Sequence, residues 1–79
     1  MFYIYIIQSI KNGSYYIGCT NETTKRLSEH NKGRVKSTKA YGPWLLRYTE
    51  KYNTLSEARG REEQIKNWKS RTAIERLLK

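Results

Sequence analysis

The sequence predicts an α+β domain: a small three-stranded antiparallel sheet flanked by helices, in the order β-β-α-β-α-α. Three observations predict it. The first twenty residues are rich in β-branched and aromatic side chains on either side of an Asn-Gly pair. Three later stretches open with helix-capping residues. One further alternating segment lies between the first and second of them. A run of strands and helices without regular βαβ alternation favours an antiparallel sheet with helices packed on it.

Phe2 to Gln8 reads as the first strand. Asn12-Gly13 is a strong two-residue hairpin signal, and Ser14 to Cys19 reads as the returning strand. In that tight register, paired residue numbers sum to 25. Because strand side chains alternate, Tyr3, Tyr5, Ile7 and Ser9 then share a face with Tyr16, Gly18 and Thr20. Ile4, Ile6 and Ile10 share the other face with Tyr15, Ile17 and Cys19. A longer loop would bring Tyr5 and Tyr16 closer, and only an even slip keeps them on one face.

Glu22 to Asn31 lacks Gly and Pro and predicts a helix, with Asn21 as its cap and Gly33 just past its end. Arg34 to Gly42 is a basic polar loop closed by Pro43. Trp44 to Tyr52 predicts a third strand with Trp44, Leu46, Tyr48 and Tyr52 on one side. Thr54-Leu55-Ser56-Glu57 is a capping box opening a helix to about Lys69, and Ser70 caps a last short helix.

With 79 residues the chain is expected to form one domain, residues 1–79. A domain of this size buries only about 60% of its extended surface, so its core is small. The balance of 16 Lys and Arg against 7 Asp and Glu gives a net charge of +9. So strong a single-sign field points to a polyanion, nucleic acid first, although a basic surface alone can be merely solubilising. Lys25, Arg34, Lys36, Lys39, Arg59, Lys66 and Lys69 are the candidate phosphate contacts. The single Cys19 excludes an internal disulfide and a cysteine zinc site. No leader or membrane-crossing run is evident, so a cytoplasmic location and no membrane partner are expected.

Two helical positions are out of keeping with their neighbours. Arg26 and His30, four residues apart, share a helix face beside Leu27. His30 can be a half-exposed cation suited to a helix C-terminus. That is the commoner reading of a lone helical His; the other is a site residue. Glu62 falls on the apolar stripe of Leu55, Ala58, Ile65 and Trp68, where a carboxylate is costly unless a cation pairs with it. Arg26, Arg59, Arg61, Lys66 or a metal are the candidate partners.

Taken in order, Tyr3-Ile4-Tyr5, Tyr16-Ile17-Gly18, Arg26, His30 and Arg61-Glu62 resemble the GIY-YIG nuclease family, and its small stand-alone bacterial members above all. Tyr3 stands where the name-giving glycine usually sits, a departure common among those small members. The likeness runs from Phe2 to about Lys69. It implies phosphodiester hydrolysis with one divalent metal, Mg²⁺ or Mn²⁺, held by Glu62. Arg26 would clamp phosphate. Tyr5 would act as base or orient water, Tyr16 would hold substrate or water, and Gly18 would shape the site. His30 could accept or relay the proton. An unperturbed tyrosine has a pKa near 10, which makes it a poor base at neutral pH and leaves the choice between Tyr5 and His30 open.

The expected function is a DNA endonuclease, weakly specific or structure-selective, acting in repair or recombination, with DNA ahead of RNA and a protein partner as a source of specificity. Two alternatives stand beside it. One is a non-catalytic nucleic-acid-binding module of the same fold. The other is an interaction protein that recruits another nuclease, which predicts an exposed apolar patch around Trp44 or Trp68.

Overall fold

Strand β1 (Phe2–Ser9) runs through the middle of the sheet between β2 (Tyr15–Thr20) and β3 (Trp44–Tyr52), and both neighbours are antiparallel to it. These elements belong to a computed structural model that covers residues 1–79. Helices α1 (Thr23–Asn31), α2 (Leu55–Asn67) and α3 (Arg71–Leu77) complete the expected β-β-α-β-α-α order. No helix is long and apolar enough to cross a membrane.

The central position of β1 explains its nearly unbroken apolar run, because such a strand is covered on both faces. Ile4 and Ile6 pack with Ile17, Ala58 and Ile65, beneath α2 and α3. Tyr5 and Ile7 pack with Trp44 on the opposite face, against Tyr16 and Leu27 of α1. Two small cores therefore sit back to back, and the sheet is the wall between them.

The hairpin is looser than a two-residue turn. Tyr5 pairs with Gly18 and Gln8 with Tyr15, so paired numbers sum to 23. Ser9 is the physical reason. Its hydroxyl accepts from the amides of Lys11 and Asn12, both at 3.1 Å, and holds a four-residue loop together. Its own amide donates to Ser14 O at 2.9 Å. Gly13 takes the left-handed position, at φ 76°. The slip is even, so the predicted faces survive and Tyr5 lies two residues nearer to Tyr16 along the ladder.

The predicted face of β3 is corrected by a bulge. Ile6 pairs with Tyr48 but Ile7 pairs with Leu46, leaving Arg47 as the extra residue. Trp44 therefore turns to the Tyr5 side, while Tyr48 and Tyr52 face α2 and α3. Neither tryptophan ring is itself exposed, although Leu45 and Leu46 beside Trp44 are 52% and 41% exposed. Trp44 is 4% exposed, and Trp68 lies under the Arg61 guanidinium at 5.4 Å.

Helix ends follow local chemistry with one correction. Asn21 does not cap α1; the N-cap is Glu22, without a side-chain bond, and the Thr20 hydroxyl accepts from the Glu22 amide instead. At the other end Gly33, at φ 72°, donates to His30 O while Arg34 donates to Glu29 O, the paired bonds of a Schellman motif. The Thr54 and Ser70 hydroxyls accept from the Glu57 and Ala73 amides as expected, but the Glu57 carboxylate accepts from the Thr54 hydroxyl and not from its amide, so the capping box is not reciprocal. Helix α2 ends two residues before Lys69, which sits at φ 48°.

Candidate active site

The hairpin, α1 and α2 bring the candidate residues to the β2 edge of the sheet. Tyr5 lies on central β1, directly opposite Gly18 on β2. A Cβ at Gly18 would sit 2.3 Å from the Tyr5 hydroxyl oxygen, so the ring occupies the space that only glycine leaves. Tyr5 is 2% exposed, yet together with Tyr16, Gly18, Arg26, Arg59 and Glu62 it lines a cleft of about 440 Å³. Glu63 and Lys66 complete its charged wall.

Behind the cleft, His30 projects from the last turn of α1 and is fully buried, not half-exposed as one reading of the sequence had it. Its Nε2 lies 2.9 Å from the Tyr5 hydroxyl and its Nδ1 lies 2.7 Å from Thr38 Oγ1. The rings of Tyr5 and Tyr16 meet it edge-on, with centroids at 5.7 and 5.1 Å. Burial, aided by the Arg26 cation, pushes its pKa down to about 4, so His30 is neutral at pH 7.

One helical turn earlier, Arg26 Nε donates to the Tyr5 hydroxyl at 3.4 Å and Nη1 pairs with Glu29 at 3.2 Å. Desolvation raises the Tyr5 pKa, and Arg26 opposes that rise. The phenol is therefore protonated at neutral pH, and any proton it takes from water must be matched by one it gives away.

Glu62 does sit between the buried Ala58 and Ile65 on α2, while Leu55 at the start of the stripe is exposed. Its cation is neither Arg26 nor Arg59. Lys66 Nζ lies 2.7 Å from Glu62 Oε2, one helical turn on, and also stands over the Tyr16 ring at 5.9 Å. Arg61 turns the other way. It forks onto Glu50 of β3 at 2.9 and 3.1 Å, and the hydroxyls of Tyr48 and Tyr52 donate to the same carboxylate. Burial works against the Glu50 anion, but these three partners outweigh it and hold its pKa below the usual carboxylate value.

Glu62 fits a hard divalent cation that keeps most of its waters. It is a carboxylate facing an open cleft with a single protein partner. No cluster of three or more His, Cys, Asp or Glu forms anywhere, so a site built wholly of protein ligands does not fit.

The basic candidates divide. Arg59 and Lys66 line the cleft, and Lys25 lines an adjoining depression that shares Arg26. Arg34, Lys36 and Lys39 are exposed on the segment between α1 and β3, and Lys69 is exposed beyond α2. Two residues of the site escaped the sequence reading. Thr38 lies in the basic loop, where nothing marks one threonine among polar neighbours. Trp44 lies on the face that the bulge reassigns; its indole donates to Thr38 O at 3.1 Å and its ring meets Tyr16 edge-on.

Comparison with known proteins shows the family and the fold. The sequence profile of the GIY-YIG catalytic domain matches residues 1–75. A UPF0213 protein of Halobacterium salinarum is 40% identical over 67 residues, spanning 84% of this chain and 86% of the relative. A UPF0213 protein of Staphylococcus aureus is 37% identical over 78 residues, 98% of this chain and 93% of the relative. The solution NMR structure of a UPF0213 protein from Bacillus halodurans superposes with a TM-score of 0.62 at 34% identity, covering 99% of this chain and 83% of that one.

Proposed function

This chain belongs to the GIY-YIG catalytic-domain family, and from that premise we propose that it is a metal-dependent endonuclease that hydrolyses DNA phosphodiester bonds. The observation that carries the reading is a buried proton path opening onto a charged cleft. Tyr5 lines the cleft on one side and meets neutral His30 at 2.9 Å on the other.

The roles follow from what each side chain touches. Arg26 has guanidinium N–H groups left over after Tyr5 and Glu29, and it offers them to a phosphate oxygen. Arg59 and Lys66 flank the scissile group and hold neighbouring phosphates. Tyr16, beside the Tyr5 ring, bounds the pocket for the attacking water. As the water oxygen bonds to phosphorus and the leaving oxygen departs, the water proton passes to the Tyr5 oxygen. The Tyr5 proton passes at once to His30 Nε2, so no free phenolate accumulates. The resulting imidazolium is costly next to Arg26, and negative charge growing on the phosphate offsets part of that cost. Glu62 would hold Mg²⁺ or Mn²⁺, which would supply Lewis-acid polarisation and charge stabilisation for the leaving oxygen; that oxygen takes its proton from solvent.

A nicking assay on supercoiled and branched DNA, with Mg²⁺ or Mn²⁺ against EDTA, tests this. The wild type cuts only with metal. Tyr5→Phe and Glu62→Ala lose cutting by about 10²-fold or more while keeping salt-sensitive DNA binding. Equal cutting by wild type and both variants refutes the assignment. One observation favours the alternative of a pure binding module: Lys66 already neutralises Glu62. Wild-type protein that binds DNA and never cuts selects it.

A further inference from the structure

We propose that Thr38 is a positioning residue that fixes the tautomer of His30, and so sets the direction in which the Tyr5 proton moves. The inference rests on the proposed use of Tyr5 and His30 as a proton path.

Four groups stand in a line: Arg26, Tyr5, His30 and Thr38. The line has fixed ends. Arg26 can only donate, and at the far end the Val35 carbonyl can only accept. Thr38 Oγ1 lies 3.3 Å from Val35 O, and it is 1% exposed, so no bulk water competes for it. A single polarity gives every donor one acceptor. Arg26 donates to Tyr5, Tyr5 donates to His30 Nε2, His30 Nδ1–H donates to Thr38, and Thr38 donates to Val35. Each contact falls between 2.7 and 3.4 Å.

The reverse polarity would have Thr38 donate to Nδ1 and Nε2–H donate to Tyr5. The Tyr5 oxygen would then receive two donors, and its own proton would have no protein partner. His30 Nε2 could accept nothing, and the path from the cleft would be closed. The first polarity instead leaves the Nε2 lone pair facing the phenol. Thr38 does not line the cleft, and its hydroxyl meets the proton path at the imidazole.

Because His30 is the only histidine, the tautomer can be read directly. Two-bond ¹H–¹⁵N correlation spectra of ¹⁵N-histidine-labelled protein at pH 7 are expected to show His30 protonated at Nδ1. In Thr38→Val, similar in shape but without the hydroxyl, the proton moves to Nε2. Thr38→Ser restores the wild-type pattern. In the nicking assay Thr38→Val loses at least 10-fold in kcat with little change in KM, and Thr38→Ser recovers most of it. A wild-type imidazole protonated at Nε2 overturns the proposal, as does a Thr38→Val protein with an unchanged tautomer. If the spectra follow expectation but no protein cuts DNA, the tautomer assignment stands and the nuclease reading fails.

Discussion

At Gly18 the absence of a single methyl group decides where Tyr5 goes. The two residues pair across β1 and β2, and the phenol lies over the glycine. Gly18→Ala is expected to push the ring away from His30 and Arg26. Overpacking of this kind costs about 1–3 kcal/mol. Urea unfolding reads the stability loss, and the nicking assay reads the loss of Tyr5 placement. Wild-type stability and cutting in this variant would contradict the geometry. Lys66 offers a second residue-level test. It competes with a cation for Glu62 from a half-exposed position, where an ion pair is worth about 0.2–1 kcal/mol. Lys66→Met should therefore bind Mn²⁺ about 2- to 5-fold more tightly in an EPR titration, whereas Glu62→Gln loses the site. The candidates Tyr5, Tyr16, Gly18, Arg26, His30 and Glu62 were legible as single letters. Lys66 stood among the candidate cations for Glu62 because it lies four residues on; Thr38, eight residues from His30 in a polar loop, was not singled out, because a hydrogen-bond partner outside the helix leaves no mark on its pattern.

Among the elements, α2 carries two consecutive charges with opposite assignments. Arg61 reaches back to Glu50 on β3, and Glu62 faces the cleft. Successive helical residues lie about 100° apart, so anchoring one fixes the bearing of the next. Arg61→Leu leaves Glu50 with only two tyrosine hydroxyls for a partly buried anion. It should destabilise the domain by about 1–3 kcal/mol in urea unfolding. It should also weaken Mn²⁺ binding at Glu62 without removing that carboxylate; unchanged metal affinity would show that α2 needs no such anchor. The capping signals of α2 and α3 could be read from the sequence because a cap involves neighbours three residues apart. The bulge at Arg47 could not, because the face of an edge strand is set by the ladder beside it and not by its own alternation.

Across the whole molecule, acid stability is tied to His30. Its pKa is about 4 in the folded chain against about 6.5 when exposed, so between those values the unfolded chain binds the extra proton. Folding stability is then complete above about pH 6.5 and falls as pH drops toward 4, by about 3 kcal/mol. Glu50, whose pKa is held below the usual carboxylate value, adds its own loss only at lower pH, below about 4.5. Urea unfolding at stepped pH is expected to show the first decline in wild type and not in His30→Gln. A flat profile between pH 6.5 and 4 would mean that the imidazole is not buried in solution. The same burial that lowers stability in acid keeps the imidazole neutral, and therefore able to take a proton, at neutral pH.

By itself the sequence determined the element order, the hairpin faces, two of the three helix caps and the basic character of the surface. Each depends on residues close along the chain or on composition. The tertiary structure decided the rest. It tied Ser9 of the hairpin to Tyr41 O, turned Trp44 toward Tyr5 through a bulge, and set Arg61 onto Glu50 of β3. It also buried His30 between Tyr5 and Thr38. Those outcomes depend on which groups remain unpaired once the sheet and helices have packed. Burial makes an unpaired polar group expensive, so the packed chain, and not the local pattern, selects the partner.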